Sequence, residues 1–140
     1  MQLRLALALF NENYMARKML VFAYGTLMRE ERNNFYFTDN QALYKGEFTS
    51  APEFTLFHMA GYPAAVKNGH TAIAGEIWQV DAPLLKKLDG LEEIEDDTGN
   101  PTGMKKERVQ TPYGDAWMYI KEKTPDAPQI KSGNWREVCK

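Results

Sequence analysis

The sequence predicts an α+β domain. Its strand-like runs are short and numerous, a few helical stretches stand between them, and strand and helix never settle into the regular alternation of a doubly wound sheet. The chain has 140 residues, the usual size of one domain and long enough to bury about two-thirds of the surface an unfolded chain exposes. Hydrophobic residues at 44% and charged residues at 26% lie near the globular average, and no internal repeat or low-complexity stretch marks the chain as fibrous or disordered.

Residues 1–18 are read as an extension and 19–140 as the domain proper. Leu3, Leu5, Leu7 and Leu9 alternate as in an edge strand, yet Met15 and Met19 could each begin a complete domain, so an edge strand and a loosely held addition both stay open. From Leu20 to Ala23 the chain is continuously apolar, which suits a strand covered on both faces, and Gly25 ends it. Met28 to Phe37 reads as a short helix or helical turn with Met28, Phe35 and Phe37 facing inward.

Residues 43–79 are strand-forming: LYKGEFTS, EFTLFHM, AAV and TAIAGEIWQV, each bounded by Gly or Pro. Asp81 is placed to cap a helix beginning at Ala82, with Pro83 in the first turn, where its missing N–H costs nothing. That helix is expected to stop near Gly90, ahead of an acidic, turn-rich loop, LEEIEDDTGNPTG. ERVQT and DAWMYIK then form a hairpin about Pro112, Tyr113 and Gly114, with Val109, Trp117 and Tyr119 available for cross-strand packing. In the tail, Ile130 and Trp135 are expected to pin the end onto the body.

Charge excludes several functions. Seventeen basic and nineteen acidic residues leave a net charge of -2, which creates no field for collecting phosphate backbones, so nucleic acid is not an expected partner. Lys86-Lys87 and Lys105-Lys106 with Arg108 read as solvated faces. Cys139 is the sole cysteine and penultimate, and His58 and His70 lack close partners at ligand spacing, so neither a disulfide nor a metal site is expected. MQLRLALALF is too short for a secretion signal and no run nears the roughly 20 apolar residues of a membrane span; the expectation is a cytoplasmic protein without a membrane partner.

The turn Tyr24-Gly25-Thr26-Leu27 leaves its strand abruptly, and a glycine there allows successive backbone N–H groups to converge on an anion. It is followed in order by GYPAAV at 61–66, GEIWQV at 75–80, LDGLE at 88–92, QTPYGDAWMYI at 110–120 and SGNW at 132–135. Together these motifs resemble the gamma-glutamylcyclotransferase-like family, which includes the AIG2-like proteins, from Met19 to Trp135. The resemblance implies a compact α+β fold built on a small mixed β-barrel, with the turn lining a cavity and a glutamate opposite.

It further implies conversion of a gamma-glutamyl compound to 5-oxoproline and a free amine. Tyr24, Gly25, Thr26 and Leu27 fall on the substrate loop, Glu92 on the catalytic glutamate and Tyr119 on a cavity-side tyrosine; for Tyr119 and Trp117 an ordinary core role is the alternative. The expected ligand is a small gamma-glutamyl or other carboxylate-bearing molecule, and the reaction calls for no metal, nucleotide or nicotinamide cofactor. The α-amine of the substrate attacks its own γ-carbonyl, so one carboxylate can take its proton and return it to the leaving amine.

The resemblance breaks after LDGLE: Glu93 and Ile94 replace an expected Gly-Tyr pair, and Met104 and Lys106 stand where Tyr and Arg are expected. Glu93, Glu95, Asp96 and Asp97 crowd Glu92 in sequence, which favours its neutral form if they lie close. Two functional readings follow, the cyclotransferase and a non-catalytic anion-binding member of the same fold.

Overall fold

The structure, a computed structural model, describes residues 19–92 and 103–138. The expected edge strand in residues 1–18, the acidic residues 93–97 and Cys139 lie outside the described residues. Seven strands are formed: β1 (Met19–Ala23), β2 (Leu43–Thr49), β3 (Phe54–His58), β4 (Pro63–Thr71), β5 (Ala74–Val80), β6 (Met104–Thr111) and β7 (Gly114–Lys121). Two helices, α1 (Phe35–Thr38) and α2 (Ala82–Leu91), and a 3-10 turn at Trp135–Glu137 complete the described elements.

The apolar run at 20–23 makes β1 a central strand. It pairs antiparallel with β5, Val21 opposite Trp78, and parallel with β7, Leu20 opposite Ala116. Both faces are covered, which is why Leu20 through Ala23 are all buried and why no polar residue interrupts them. β7 is paired along its whole length by β6 on one edge, Met104 opposite Lys121 to Thr111 opposite Gly114. β1 and β4 therefore share its other edge, β1 at Ala116 and Trp117 and β4 at Lys121.

The strands form one sheet in the order β2-β5-β1-β7-β4-β3, with β6 on β7, and it does not close into the expected barrel. The tail covers one edge of this sheet. Residues 128–130 run along the outer edge of β3: the His58 N–H donates to the Pro128 carbonyl at 2.7 Å and the Ile130 N–H to the Leu56 carbonyl at 2.7 Å. Ile130 and Trp135 are buried as expected, so the tail both covers an edge and fills the core.

The helix expected over Met28–Phe37 is reduced to the four residues of α1. Glu30 adopts a left-handed backbone with φ 70°, which interrupts any helix through it. Met28 and Phe37 are buried as expected, but Phe35 is 50% exposed, because so short a helix presents one side only. The second helix follows its signals closely. Asp81 Oδ1 accepts the Leu84 N–H at 2.9 Å, Pro83 sits in the first turn, Leu84, Leu85 and Leu88 face the sheet, and the helix runs one residue past Gly90.

Trp117 differs from Tyr119 although both lie on β7. The Trp117 ring stays half-buried beneath two cations, with Lys106 Nζ at 4.9 Å and Arg108 Cζ at 4.6 Å from its centre, while Tyr119 points inward. No described helix is long and apolar enough to cross a membrane.

Candidate active site

A cavity of about 350 Å³ opens where β1 and β4 part company along the edge of β7. Tyr24, the first residue past β1, is the wedge. Its hydroxyl donates to the Tyr119 carbonyl of β7 at 2.6 Å and accepts the Ala65 N–H of β4 at 3.0 Å, doing the work of a ladder hydrogen bond between strands that have separated. Burial raises its pKa far above the usual tyrosine range, so the hydroxyl stays a donor. Tyr24 lines the cavity, but its polar tip is fully engaged within the protein.

Gly25 does not adopt a left-handed backbone. Its lack of a side chain is needed for another reason: a Cβ would stand 2.8 Å from Pro63 Cγ and 2.9 Å from Pro63 Cδ. The carbonyls of the loop are all tied backwards. Gly25 O accepts the Met28 N–H at 3.2 Å, Thr26 O the Asn33 N–H at 2.9 Å and Leu27 O the Asn34 Nδ2 at 2.9 Å, while Thr26 Oγ1 accepts Asn33 Nδ2 at 3.0 Å. The N–H groups of Gly25, Thr26 and Leu27 meet no acceptor among the described residues, and all three residues line the cavity.

Glu92 enters the same cavity from the C-terminal cap of α2, where its N–H donates to the Leu88 carbonyl at 2.9 Å. Burial lifts its carboxyl to a pKa of about 7. The expected crowding by Glu93, Glu95, Asp96 and Asp97 lies outside the described residues; among these, desolvation is the cause of the shift. Near neutral pH such a group is divided between acid and base forms, the condition for passing a proton in either direction.

The last turn of α2 is anchored by Asp89. Its Oδ1 accepts the Tyr119 hydroxyl at 2.7 Å and its Oδ2 the Lys106 ammonium at 2.9 Å. Burial, then the Asp89 carboxylate, hold the Tyr119 hydroxyl firmly protonated. Lys106, which replaces an expected arginine, pairs with Asp89 and so fixes the helix end from which Glu92 projects. Tyr119 is both a cavity residue and a core residue, its ring in the wall and its hydroxyl against Asp89.

Sequence reading missed Arg32, Asn33, Tyr62 and Lys121, which also line the cavity. Arg32 Nη1 donates to the Gly61 carbonyl at 2.6 Å, and neither Arg32 nor Lys121 meets a carboxylate among the described residues. Strand alternation carries a signal for Lys121, which follows Tyr119 by two positions on the same face of β7. The Asn33-Asn34 pair is a turn signal, since both amides reach back to the loop. Arg32 and Tyr62 had none, because the turn that aims them depends on contacts across the sheet.

The site combines one described sheet of an α+β domain, a glycine loop at the end of its central strand and a half-buried glutamate lining the same cavity. The chain belongs to the gamma-glutamyl cyclotransferase, AIG2-like family, whose model matches residues 21–137. A Vibrio cholerae relative that bears the gamma-glutamylcyclotransferase name provisionally is 38% identical over 117 residues, 83% of this chain and 94% of its own length. The Escherichia coli gamma-glutamylcyclotransferase family protein YtfP is 33% identical over 118 residues, 84% of this chain and 96% of its own. The solution structure of YtfP superposes with a TM-score of 0.66 at 32% identity, covering 85% of this chain and 97% of that one. The crystal structure of an uncharacterized Pyrococcus horikoshii protein, PH0828, superposes with a TM-score of 0.70 at 25% identity, covering 86% and 92%.

Proposed function

We propose that the protein is a gamma-glutamylcyclotransferase that converts a gamma-glutamyl compound to 5-oxoproline and a free amine, with Glu92 as the single acid/base group. The observation that carries this reading is a half-buried glutamate of pKa about 7 lining the same cavity as three loop residues whose N–H groups meet no acceptor among the described residues. Anionic Glu92 takes a proton from the α-ammonium of the substrate. The freed amine attacks the γ-carbonyl carbon, forming the ring C–N bond. Glu92 then returns the proton to the departing nitrogen as the original amide C–N bond breaks, and the second proton shed by the ring nitrogen leaves with the amine as its ammonium form, so the carboxylate ends as it began.

Because nucleophile and electrophile belong to one molecule, the protein has mainly to hold the substrate folded. The N–H groups at 25–27 suit the α-carboxylate, and Arg32 and Lys121 make the cavity favourable to an anionic ligand. Released 5-oxoproline, measured over a panel of gamma-glutamyl amino acids, glutathione and gamma-glutamyl amines beside Glu92→Gln, tests the reading. Product that depends on Glu92 supports it. No product from any substrate, or activity untouched by Glu92→Gln, defeats it.

The cations Arg32 and Lys121 also favour a second reading, a non-catalytic member that binds a small carboxylate without turnover. Calorimetric binding of 5-oxoproline or glutamate by a protein that releases no product from the panel would select it.

A further inference from the structure

Glu76 belongs to the GEIWQV run, and the proton transfer proposed above makes no use of it. It is 0% exposed in β5, covered by the side chains that bind it. Four donors satisfy it. Oε1 accepts the Arg29 main-chain N–H at 2.9 Å and Trp78 Nε1 at 3.2 Å; Oε2 accepts Arg29 Nε at 2.8 Å and Arg136 Nη2 at 2.5 Å. Burial acts to raise its pKa, but these hydrogen bonds outweigh burial and hold the group ionised below the usual carboxylate range.

A buried ion pair contributes little net stability beyond what a well-packed apolar side chain of the same size supplies. What the carboxylate adds is direction, an acceptor fixed at a chosen point in the interior. That point is the main chain of Arg29, immediately beyond the turn that Gly25 and Met28 close. The preceding residue meets the other end of the same loop: a Cβ at Gly75 would stand 2.3 Å from the Ala23 carbonyl and 3.0 Å from Tyr24 Cα. Two adjacent residues of β5 thus touch the entry and the exit of the loop whose residues 25–27 line the cavity.

We infer that Glu76 is a positioning residue for this loop, holding its exit through the Oε1 bond to Arg29 N, while Gly75 leaves room for its entry. The identity of the ligand rests on the proposed function; the clamp on the loop does not. Glu76→Gln places an amide N–H₂ against two guanidinium donors, and Glu76→Asp keeps the charge but withdraws it by one methylene from Arg29 N. Arg136→Met removes one donor from Oε2 and leaves the bond to Arg29 N in place.

The experiment measures two things on these three variants in the full chain: amide hydrogen exchange at residues 25–29, which needs no substrate, and kcat and KM for 5-oxoproline release. In both Glu76 variants exchange at 25–29 and KM each rise about tenfold or more, as expected when a binding loop is displaced by a fraction of an ångström. The pH midpoint set by Glu92 stays near 7, because Glu92 itself is untouched. Arg136→Met lowers the melting temperature with KM within about twofold of the original. Should Glu76→Gln fail to fold, Glu76→Asp decides alone. Loss of stability like that of Arg136→Met, with loop exchange and KM unchanged, would make Glu76 an ordinary structural ion pair and overturn the inference. If the unaltered protein turns over nothing, the proposed function fails while the exchange measurement still decides the clamp.

Discussion

A carboxyl group held near neutrality inside a protein leaves two separate marks, one on rate and one on stability. For Glu92 the rate mark is a kcat/KM that rises with pH through about 7, since the base form must begin the reaction, and Glu92→Gln lowers kcat on the order of 10²-fold or more. The stability mark has the opposite sign. Its folded pKa of about 7 exceeds the ordinary 4.5, so the folded state binds more protons than the unfolded state across that interval and stability falls as pH rises through it. Glu92→Gln removes the penalty: the variant becomes more stable than the parent by on the order of 1–2 kcal/mol above pH 7 and the difference vanishes near pH 4. Denaturant titrations at several pH values read this directly. Tyr24→Phe behaves differently, because it leaves the Ala65 N–H and the Tyr119 carbonyl without their buried partner. A loss of about 1–3 kcal/mol in the same titration is expected.

At the scale of elements, the loop depends on contacts made by its neighbours more than on its own sequence. Gly25→Ala sets a Cβ against the rigid ring of Pro63 at 2.8 Å, and the ring cannot turn aside as a flexible side chain would. The fold, held by β1 pairing with β5 and β7, is expected to survive with the loop displaced: KM rises about tenfold or more while far-ultraviolet circular dichroism is unchanged. On the opposite wall, Asp89 ties the end of α2 to β6 and β7 through Lys106 and Tyr119. These anchors were only half legible in the chain. Asp81, Pro83 and the apolar periodicity announced α2, since helix caps and faces are local properties. The partners of Asp89 were not announced, because Lys106 and Tyr119 lie 17 and 30 residues away and meet it only when the hairpin docks.

For the whole molecule, the tail guards one edge of the sheet. Residues 128–130 occupy the outer edge of β3, and Ile130 and Trp135 fill the core behind it. Ending the chain at residue 127 uncovers that edge and removes two buried side chains worth about 1.5–3 kcal/mol each. Such a truncation is expected to elute as aggregate in size-exclusion chromatography, whereas the full chain elutes as a discrete species.

The sequence by itself determined the α+β class, the central apolar strand, the capped helix, the terminal hairpin and, through the order of its motifs, the family. Each of these follows from local patterning, which needs only neighbours along the chain. Tertiary structure decided the rest. The expected barrel is an open sheet with the tail along the edge of β3, and the expected helix after the loop shrank to α1 because the backbone turns left-handed at Glu30. It also brought Glu92, Arg32 and Lys121 to one cavity from three separate elements and set Glu76 behind the loop. Desolvation, which lifts Glu92 to neutrality, is a property of what surrounds a group in space, and no spacing along the chain encodes it.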